Sequence, residues 1–181
     1  GKCDSIHSST KLALTKLIGR PVIFNGKNQL TGDIIHIIGD NKTEKIDSLK
    51  ILNNAFIASK DTLGLGYNQL KGVNLYGKFV DNKLSEVDLI KNTEKIYYSY
   101  DKNVLQGIDV GKSSSIKMKL KDNKIRTIRS ISNTESMTYP ETELPENARK
   151  LRGFIWRGDE MILSKDDIFP PEENELHDKI I

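Results

Sequence analysis

The chain has 181 residues, a net charge of +3 from 28 Lys+Arg against 25 Asp+Glu, and 36% hydrophobic content. A mean hydropathy of −0.48 is low for a packed two-sheet core, while the ordered alternation described below argues against general disorder. No apolar run approaches the roughly 18 residues of a membrane helix, and a single cysteine excludes an internal disulfide.

Gly1 opens the chain without a methionine, which predicts a processed or excised piece that begins inside a truncated repeat over 1–27. Three copies of Asp-Asn-Lys then stand at 40–42, 81–83 and 122–124, equally spaced along the sequence, so the chain reads as a tandem array. Each triplet follows a Leu-x-Gly: Leu30-Thr31-Gly32, Leu70-Lys71-Gly72 and Leu105-Gln106-Gly107, the first two inside the near-identical strings NQLTG and NQLKG. Repeats are accordingly placed at 28–67, 68–103 and 104–140. Asp and Asn bond their own backbone and tolerate the left-handed region, so each triplet predicts a tight turn between antiparallel strands.

Before the first turn, Ile34-Ile35-His36-Ile37-Ile38 is apolar on both faces; alignment through the glycines selects Ile35 and Ile37 as inward, alignment through the turns Ile34 and Ile38, and the former is preferred. Before the second, Val73, Leu75 and Phe79 share a face, with Gly77 leaving a gap in their row. Before the third, Ile116, Met118 and Leu120 alternate with three lysines. Returning strands are predicted over 44–52, 85–90 and 126–131, and the apolar pairs three apart (Leu84 and Val87, Ile125 and Ile128, more weakly Thr43 and Ile46) suit a bulge better than a regular pleat. Further strands follow over 55–60 and 95–100. Residues 113–115 lengthen the third repeat's first arm and read as a loop or lateral extension. Pro145, the basic residues before Arg152 and Gly153 predict a short helix over 145–152 pinned by Phe154, Ile155 and Trp156. The acidic residues 172–181 are predicted to be disordered.

Charge divides the chain. Residues 1–140 carry 22 Lys+Arg and 14 Asp+Glu, whereas 141–181 carry 6 and 11. The basic body is either a solvated lysine-rich surface or a face for a partner with anionic groups. Nucleic acid is disfavoured: there is no basic helix, no zinc spacing and no stacking platform beyond Tyr97, Tyr98 and Tyr100, which read as strand residues.

Chemistry has few carriers here. His7, His36 and His177 lie far apart, none in a metal-ligand spacing, and His36 reads as a solvent-facing strand residue. Cys3 is alone near the chain start. Gly64-Leu65-Gly66 lacks the rest of a dinucleotide fingerprint, and Asp166-Asp167 falls in the polar tail. No cofactor, metal or catalytic residue is assigned, and a β-solenoid carbohydrate-active enzyme is disfavoured because no pair of carboxylates shares the apolar face.

Gly1-Lys2-Cys3-Asp4-Ser5, the string NQLTGD at 28–33, Asn54-Ala55-Phe56-Ile57, and above all Leu144-Pro145-Glu146 through Leu151-Arg152-Gly153-Phe154 to Trp156-Arg157-Gly158-Asp159-Glu160 resemble the C-terminal half of long OstA-like proteins of the OstA/LptA superfamily. The resemblance spans nearly the whole chain, and it puts Gly1 at the glycine of one more, upstream Leu-x-Gly. It implies an all-β fold of tandem antiparallel hairpin repeats forming an open, slot-like β-jelly roll over 1–140, then a C-terminal cap over 141–181 with a short helix and polar acidic tail. It also implies a non-catalytic periplasmic protein of lipopolysaccharide transport and outer-membrane assembly. Its partners would be lipopolysaccharide or lipid A, envelope transport proteins including an outer-membrane β-barrel, and further copies joined head to tail by strand edges. The candidate acyl-chain lining is Ile35, Ile37, Val73, Leu75, Phe79, Val87, Leu89, Ile116, Met118 and Leu120. The alternatives are that these residues are plain core, and that the array is an envelope scaffold docking partners by strand addition.

Overall fold

The computed structural model describes residues 1–43, 45–122, 124–164 and 167. Eleven strands form one antiparallel sheet: β1 (Ser5–Ser9), β2 (Leu14–Ile18), β3 (Val22–Asn25), β4 (Asn28–Thr31), β5 (Ile34–Gly39), β6 (Ile46–Lys60), β7 (Tyr67–Val80), β8 (Lys83–Asp101), β9 (Val104–Lys121), β10 (Lys124–Ile131) and β11 (Glu135–Tyr139). Strands β2 and β3, β4 and β5, and β10 and β11 each continue one another around a corner, and β6 to β9 pass the same corner unbroken. The topology is therefore a meander of eight bent strands in chain order, with unpaired edges at β1, at β3 beyond its single bridge from Val22 to Lys2, and at β10 and β11 among the described residues. One half of each strand belongs to a turn leaf, which carries the Asp-Asn-Lys connections, and the other half to a second leaf, here called the strap leaf. The sheet is open, slot-like and unclosed. No described helix is long and apolar enough to cross a membrane.

The recurring triplet is explained by what it reaches. Asp81 and Asn82 both have positive φ, 50° and 59° respectively. They link Val80 to Lys83 as a two-residue turn whose twist matches the strands. The Asp81 carboxylate accepts from Lys45 Nζ at 2.7 Å, Asn82 Oδ1 accepts from the Ile46 amide at 2.8 Å, and Asp122 accepts from Lys83 Nζ at 3.0 Å. Each turn thus holds the one before it. Just past each turn the register slips by one residue, leaving Asp47, Ser85 and Arg126 as the extra residues. These bulges account for the three-residue apolar spacing, because Leu84 and Val87 then face the same side, as do Ile125 and Ile128. The first connection is wider: Asp40 to Lys45 closes with the Asp40 amide on Lys45 O, and Asp40 Oδ1 caps the Lys42 amide.

At the corner, two devices alternate. The returning strands β6 and β8 turn with paired left-handed residues, Asn53-Asn54 (59° and 50°) and Lys91-Asn92 (64° and 51°), and Ser132-Asn133 repeats this between β10 and β11. The outgoing strands turn at Gly32-Asp33, Gly72-Val73 and Ser113-Ser114, where the pleat shifts phase by one. A Cβ on Gly72 would meet Leu89 Cγ at 2.9 Å and Ile90 O at 3.2 Å, and one on Gly32 would collide with Ile51 Cγ2. These glycines therefore let the neighbouring core residue cross the bend. Cross-strand register places Ser113 level with Gly32 and Gly72. That corrects the third repeat mark: Leu105-Gln106-Gly107 lies six residues too early, and Ser113 to Ser115 are not an insertion but the corner of β9. Small polar groups close it there, with Thr93 Oγ1 within 2.8 Å of both Ser113 O and Ser113 Oγ.

After Tyr139 the chain runs back across the outer face of the strap leaf. The predicted helix is a single 3₁₀ turn, Glu146–Arg149, with Pro145 preceding it, and Gly153 has φ +91°. Leu144, Leu151, Phe154 and Trp156 pack on Phe56, Ala58, Ile96, Tyr98 and Ile108, with Phe154 and Trp156 against Tyr67 at centroid distances of 5.0 and 5.3 Å. Ile155 instead points outward, 67% exposed. Two buried glutamines from the NQL strings grip this strap by its backbone. Gln69 donates to Arg149 O at 2.8 Å and accepts from the Leu151 amide at 2.8 Å; Gln29 donates to Ile155 O at 2.7 Å and accepts from the Arg157 amide at 2.6 Å. Arg157 in turn pairs with Glu160, whose carboxyl it holds below the usual range, and donates to Arg20 O. The expected tail disorder over 172–181 lies outside the described residues.

Gln69→Ala leaves a buried carbonyl and amide of the strap without partners and should destabilise the fold by about 2 kcal/mol, read by urea unfolding, with faster proteolysis between residues 140 and 160. Hydrogen bonding and charge from Lys45 and Lys83 lower the Asp81 and Asp122 pKa values. The turn ladder is therefore fully formed above the ordinary carboxylate range and is lost as pH falls through the depressed folded values. Carboxyl-carbon NMR titrations should show both aspartates ionising below the ordinary value, and Lys45→Met and Lys83→Met should move them back up.

Candidate functional site

Register defines the inward face of the turn leaf residue by residue. One row runs Ile6, Leu17, Ile35, Ile51, Leu75, Leu89 and Ile116, an unbroken apolar line over seven strands. The next runs Ile37, Leu49, Gly77, Val87, Met118 and Ile128. Phe79 beside Leu84, and Leu120 beside Ile125, complete it near the turns. Leu30, Ala55, Ile57 and Leu70 of the strap leaf pack into the same cluster, so the two leaves face each other over one apolar interior.

The sequence-derived lining falls into this frame with one exception. Ile35 and Ile37 lie level with Leu75 and Gly77 through β6, the alignment the glycines selected. Ile35, Leu75, Val87, Leu89, Ile116, Met118 and Leu120 are buried, while Ile37 and Phe79 are partly buried against the same cluster. Val73 is displaced from the row: the phase shift after Gly72 puts it on the corner, half-buried. The gap expected at Gly77 is filled, since a Cβ there would sit 2.9 Å from Leu84 Cδ1 and 3.4 Å from Leu49 Cβ. Leu17, Leu49 and Ile51 escaped the sequence reading, although Leu49-x-Ile51 alternates visibly; the Asn53-Asn54 pair interrupted the pattern.

The interior changes character along its length. In the strap leaf the inward row is Ile23, Leu30, Ile57 and Leu70, then Lys95, Gly111 and Ser136. The turn leaf stays apolar opposite it. At the β1 end Ile6 faces inward yet is 63% exposed, so the trough ends open to solvent there. His36 faces outward between Lys16 and Lys50; partial burial first, and those two charges second, lower its pKa, keeping it neutral near pH 7. Among the described residues no group of three or more His, Cys, Asp or Glu is placed to hold a metal ion.

No protein-family model matches the chain, and no curated protein matches it. Solved structures do. The chain superposes on LptH of Pseudomonas aeruginosa, described as the LptA homologous periplasmic component of the conserved lipopolysaccharide transport device, with a TM-score of 0.57 over 77% of this chain and 93% of that one, at 13% identity. The chain has the LptA-like fold. In this chain the fold rests on an unbroken apolar inward row in the turn leaf and a bend that keeps Leu30, Ala55, Ile57 and Leu70 of the strap leaf facing it. In this LptA-like sheet, Leu75 sits mid-row and fully buried. Leu75→Ala should cost about 2–5 kcal/mol in chemical unfolding, whereas Leu65→Ala, at a site 95% exposed, should change stability by less than about 0.5 kcal/mol.

Proposed function

We propose that this chain is a non-catalytic lipid carrier of the lipopolysaccharide transport and outer-membrane assembly pathway, working in the periplasm and holding acyl chains between its two leaves. The observation that carries this reading is the unbroken apolar row from Ile6 to Ile116 in an LptA-like sheet. Transfer of each methylene from water is favourable by about 0.8 kcal/mol, so an acyl chain of ordinary length gains on the order of 10 kcal/mol before ordering costs. That is enough to bind a lipid reversibly without covalent chemistry. Because the middle of the row is buried, entry requires the tips of the leaves to part, with acyl contacts replacing those between Leu75, Ile57 and their neighbours. Ile35, Ile37, Leu75, Phe79, Val87, Leu89, Ile116, Met118 and Leu120 are the proposed contacts; Val73 at the corner is the least engaged. The LptH likeness supports partners within an envelope transport device.

The burial of that same row favours a second reading, an envelope scaffold whose interior no ligand enters and whose open edges dock partners. Neighbours on opposite faces of β7 separate the two. Delipidated protein titrated with a fluorescent lipid A analogue should bind saturably, Phe79→Glu should weaken binding about tenfold or more, and Tyr76→Glu on the outer face should leave it unchanged. Absence of saturable binding by the wild-type protein retires the carrier reading.

A further inference from the structure

Where the tips of the two leaves meet, a cleft of about 590 Å³ opens between them. Lys27, Lys60 and Tyr97 stand on its strap-leaf wall and Lys124 and Ile125 on its turn-leaf wall. Among the described residues none of the three lysines forms an ion pair. The two carboxylates of the cleft are already engaged: Asp61 accepts from the Tyr100 phenol and the Leu63 amide, and Asp122 accepts from Lys83. Burial first, then Asp61, raise the Tyr100 pKa, so the phenol remains a neutral donor holding that carboxylate in place. The rim is left with more cationic than free anionic character. Lys27 and Lys60 also border an adjoining recess of about 310 Å³ walled by Trp156 and Met161 of the strap.

Below the lysines the inward face of the strap leaf is polar before it becomes apolar. Alternation from Ile23, Leu30, Ile57 and Leu70 places Asn25, Asn28, Ser59 and Asn68 in one inward row next to the tips. Asn25 Oδ1 in this row is buried without a hydrogen-bond partner, a lone acceptor that water or a donor group would satisfy. From solvent inward the order is therefore cations, then amides and a hydroxyl, then an apolar floor. An amphiphile with an anionic head, a hydroxyl-bearing shoulder and a hydrocarbon body presents the same order.

We propose that this mouth is a head-group site for a phosphorylated saccharide: Lys27 and Lys60, with Lys124 across the cleft, hold the phosphate, and the unpartnered Asn25 Oδ1 together with the Ser59 hydroxyl takes hydroxyls. The acyl end of the ligand rests on the lipid-carrier reading above; the phosphate chemistry of the mouth stands without it. A phosphate monoester carries close to two negative charges and several strong acceptors, which compact ammonium groups on flexible stems can meet from either wall. Its contacts are partly screened by salt, so the head group adds selectivity to an affinity set by the chains.

The test uses the full chain as wild type, Lys27→Glu/Lys60→Glu, and Lys50→Glu/Lys78→Glu, the last carrying the same charge change on the outer face of the turn leaf. Each is titrated with bis-phosphorylated lipid A, with its dephosphorylated form, and with inorganic phosphate monitored through amide NMR shifts at 26–28 and 59–62; circular dichroism checks that all three are folded. Wild type should prefer the phosphorylated lipid about tenfold or more, Lys27→Glu/Lys60→Glu should lose that preference while binding dephosphorylated lipid as before, and Lys50→Glu/Lys78→Glu should keep it. A preference without phosphate-induced shifts assigns the site to lipid head groups; saturable shifts assign it to phosphate from either source. If wild type binds no lipid but phosphate shifts those amides, the anion site stands and the carrier reading falls. If both lipids bind equally well, or the outer-face variant loses the preference too, the site is overturned while lipid carriage survives.

Discussion

From β2 to β7 the strands have to show apolar side chains to the same interior on both arms of a bend, while β8 to β10 do so on the turn-leaf arm, and that requirement shapes the rest of the molecule. A pleat alternates strictly, so a bend that slips one residue would turn a whole arm inside out. Two solutions alternate along the meander. Returning strands insert a left-handed pair, Asn53-Asn54 or Lys91-Asn92, and Leu49, Ile51, Ala55 and Ile57 all face inward. Outgoing strands shift phase at Gly32, Gly72 or Ser113, so that Leu70 before the corner and Leu75 after it reach the same cluster. Remove either device and one leaf presents its outer face to the core.

From that constraint follow the roles of the residues that recur. Small residues stand at the outgoing corner because Leu89 and Ile51 pack over the bend. At the second and third turns the aspartate of Asp-Asn-Lys reaches a lysine of the turn before, Asp81 to Lys45 and Asp122 to Lys83, tying hairpins that the apolar rows alone would stack with little regard to their tips, whereas Asp40 caps its own connection. Gln29 and Gln69 are outward residues whose amides the strap completes, Gln69 bonding within the sheet only to Tyr67 O among the described residues, and the ring packing of the strap on Phe56 and Tyr67 covers the apolar outer face of the strap leaf. The strap leaf is thereby packed on both sides. The turn leaf has its core on one side and lysines, carboxylates and His36 on the other, so its inward rows form the continuous apolar side of the interior.

How much of this can be read before the coordinates depends on whether a feature is local. Turn positions, the bulges behind the three-residue spacings and the inward phase of Ile35 and Ile37 are carried by short strings, and they stand where those strings put them. Val73 and the mark at Leu105-Gln106-Gly107 failed for one shared reason: alternation and motif matching assume a constant phase, and the corner breaks it. The glutamine grip was illegible because its partners, Arg149, Leu151, Ile155 and Arg157, are backbone groups 80 or more residues away. Lys27, Lys60 and Lys124 could not be told from the other lysines, since only the meeting of two leaf tips sets them around one cleft. A helix over 145–152 gave way to one 3₁₀ turn because Gln69 draws the backbone after Arg149 into an extended path.

The central claim is that the two leaves bound a trough into which hydrocarbon is admitted by movement of the tips. It is tested most directly by the distance between spin labels at Thr62→Cys on the strap-leaf tip and Lys121→Cys on the turn-leaf tip, in a Cys3→Ser background, measured by double electron–electron resonance with and without saturating lipid A. The account predicts a longer tip-to-tip distance with lipid bound and return to the starting distribution on delipidation. An identical distribution at saturating lipid would contradict it, placing the lipid outside the leaves and making the apolar rows a sealed core.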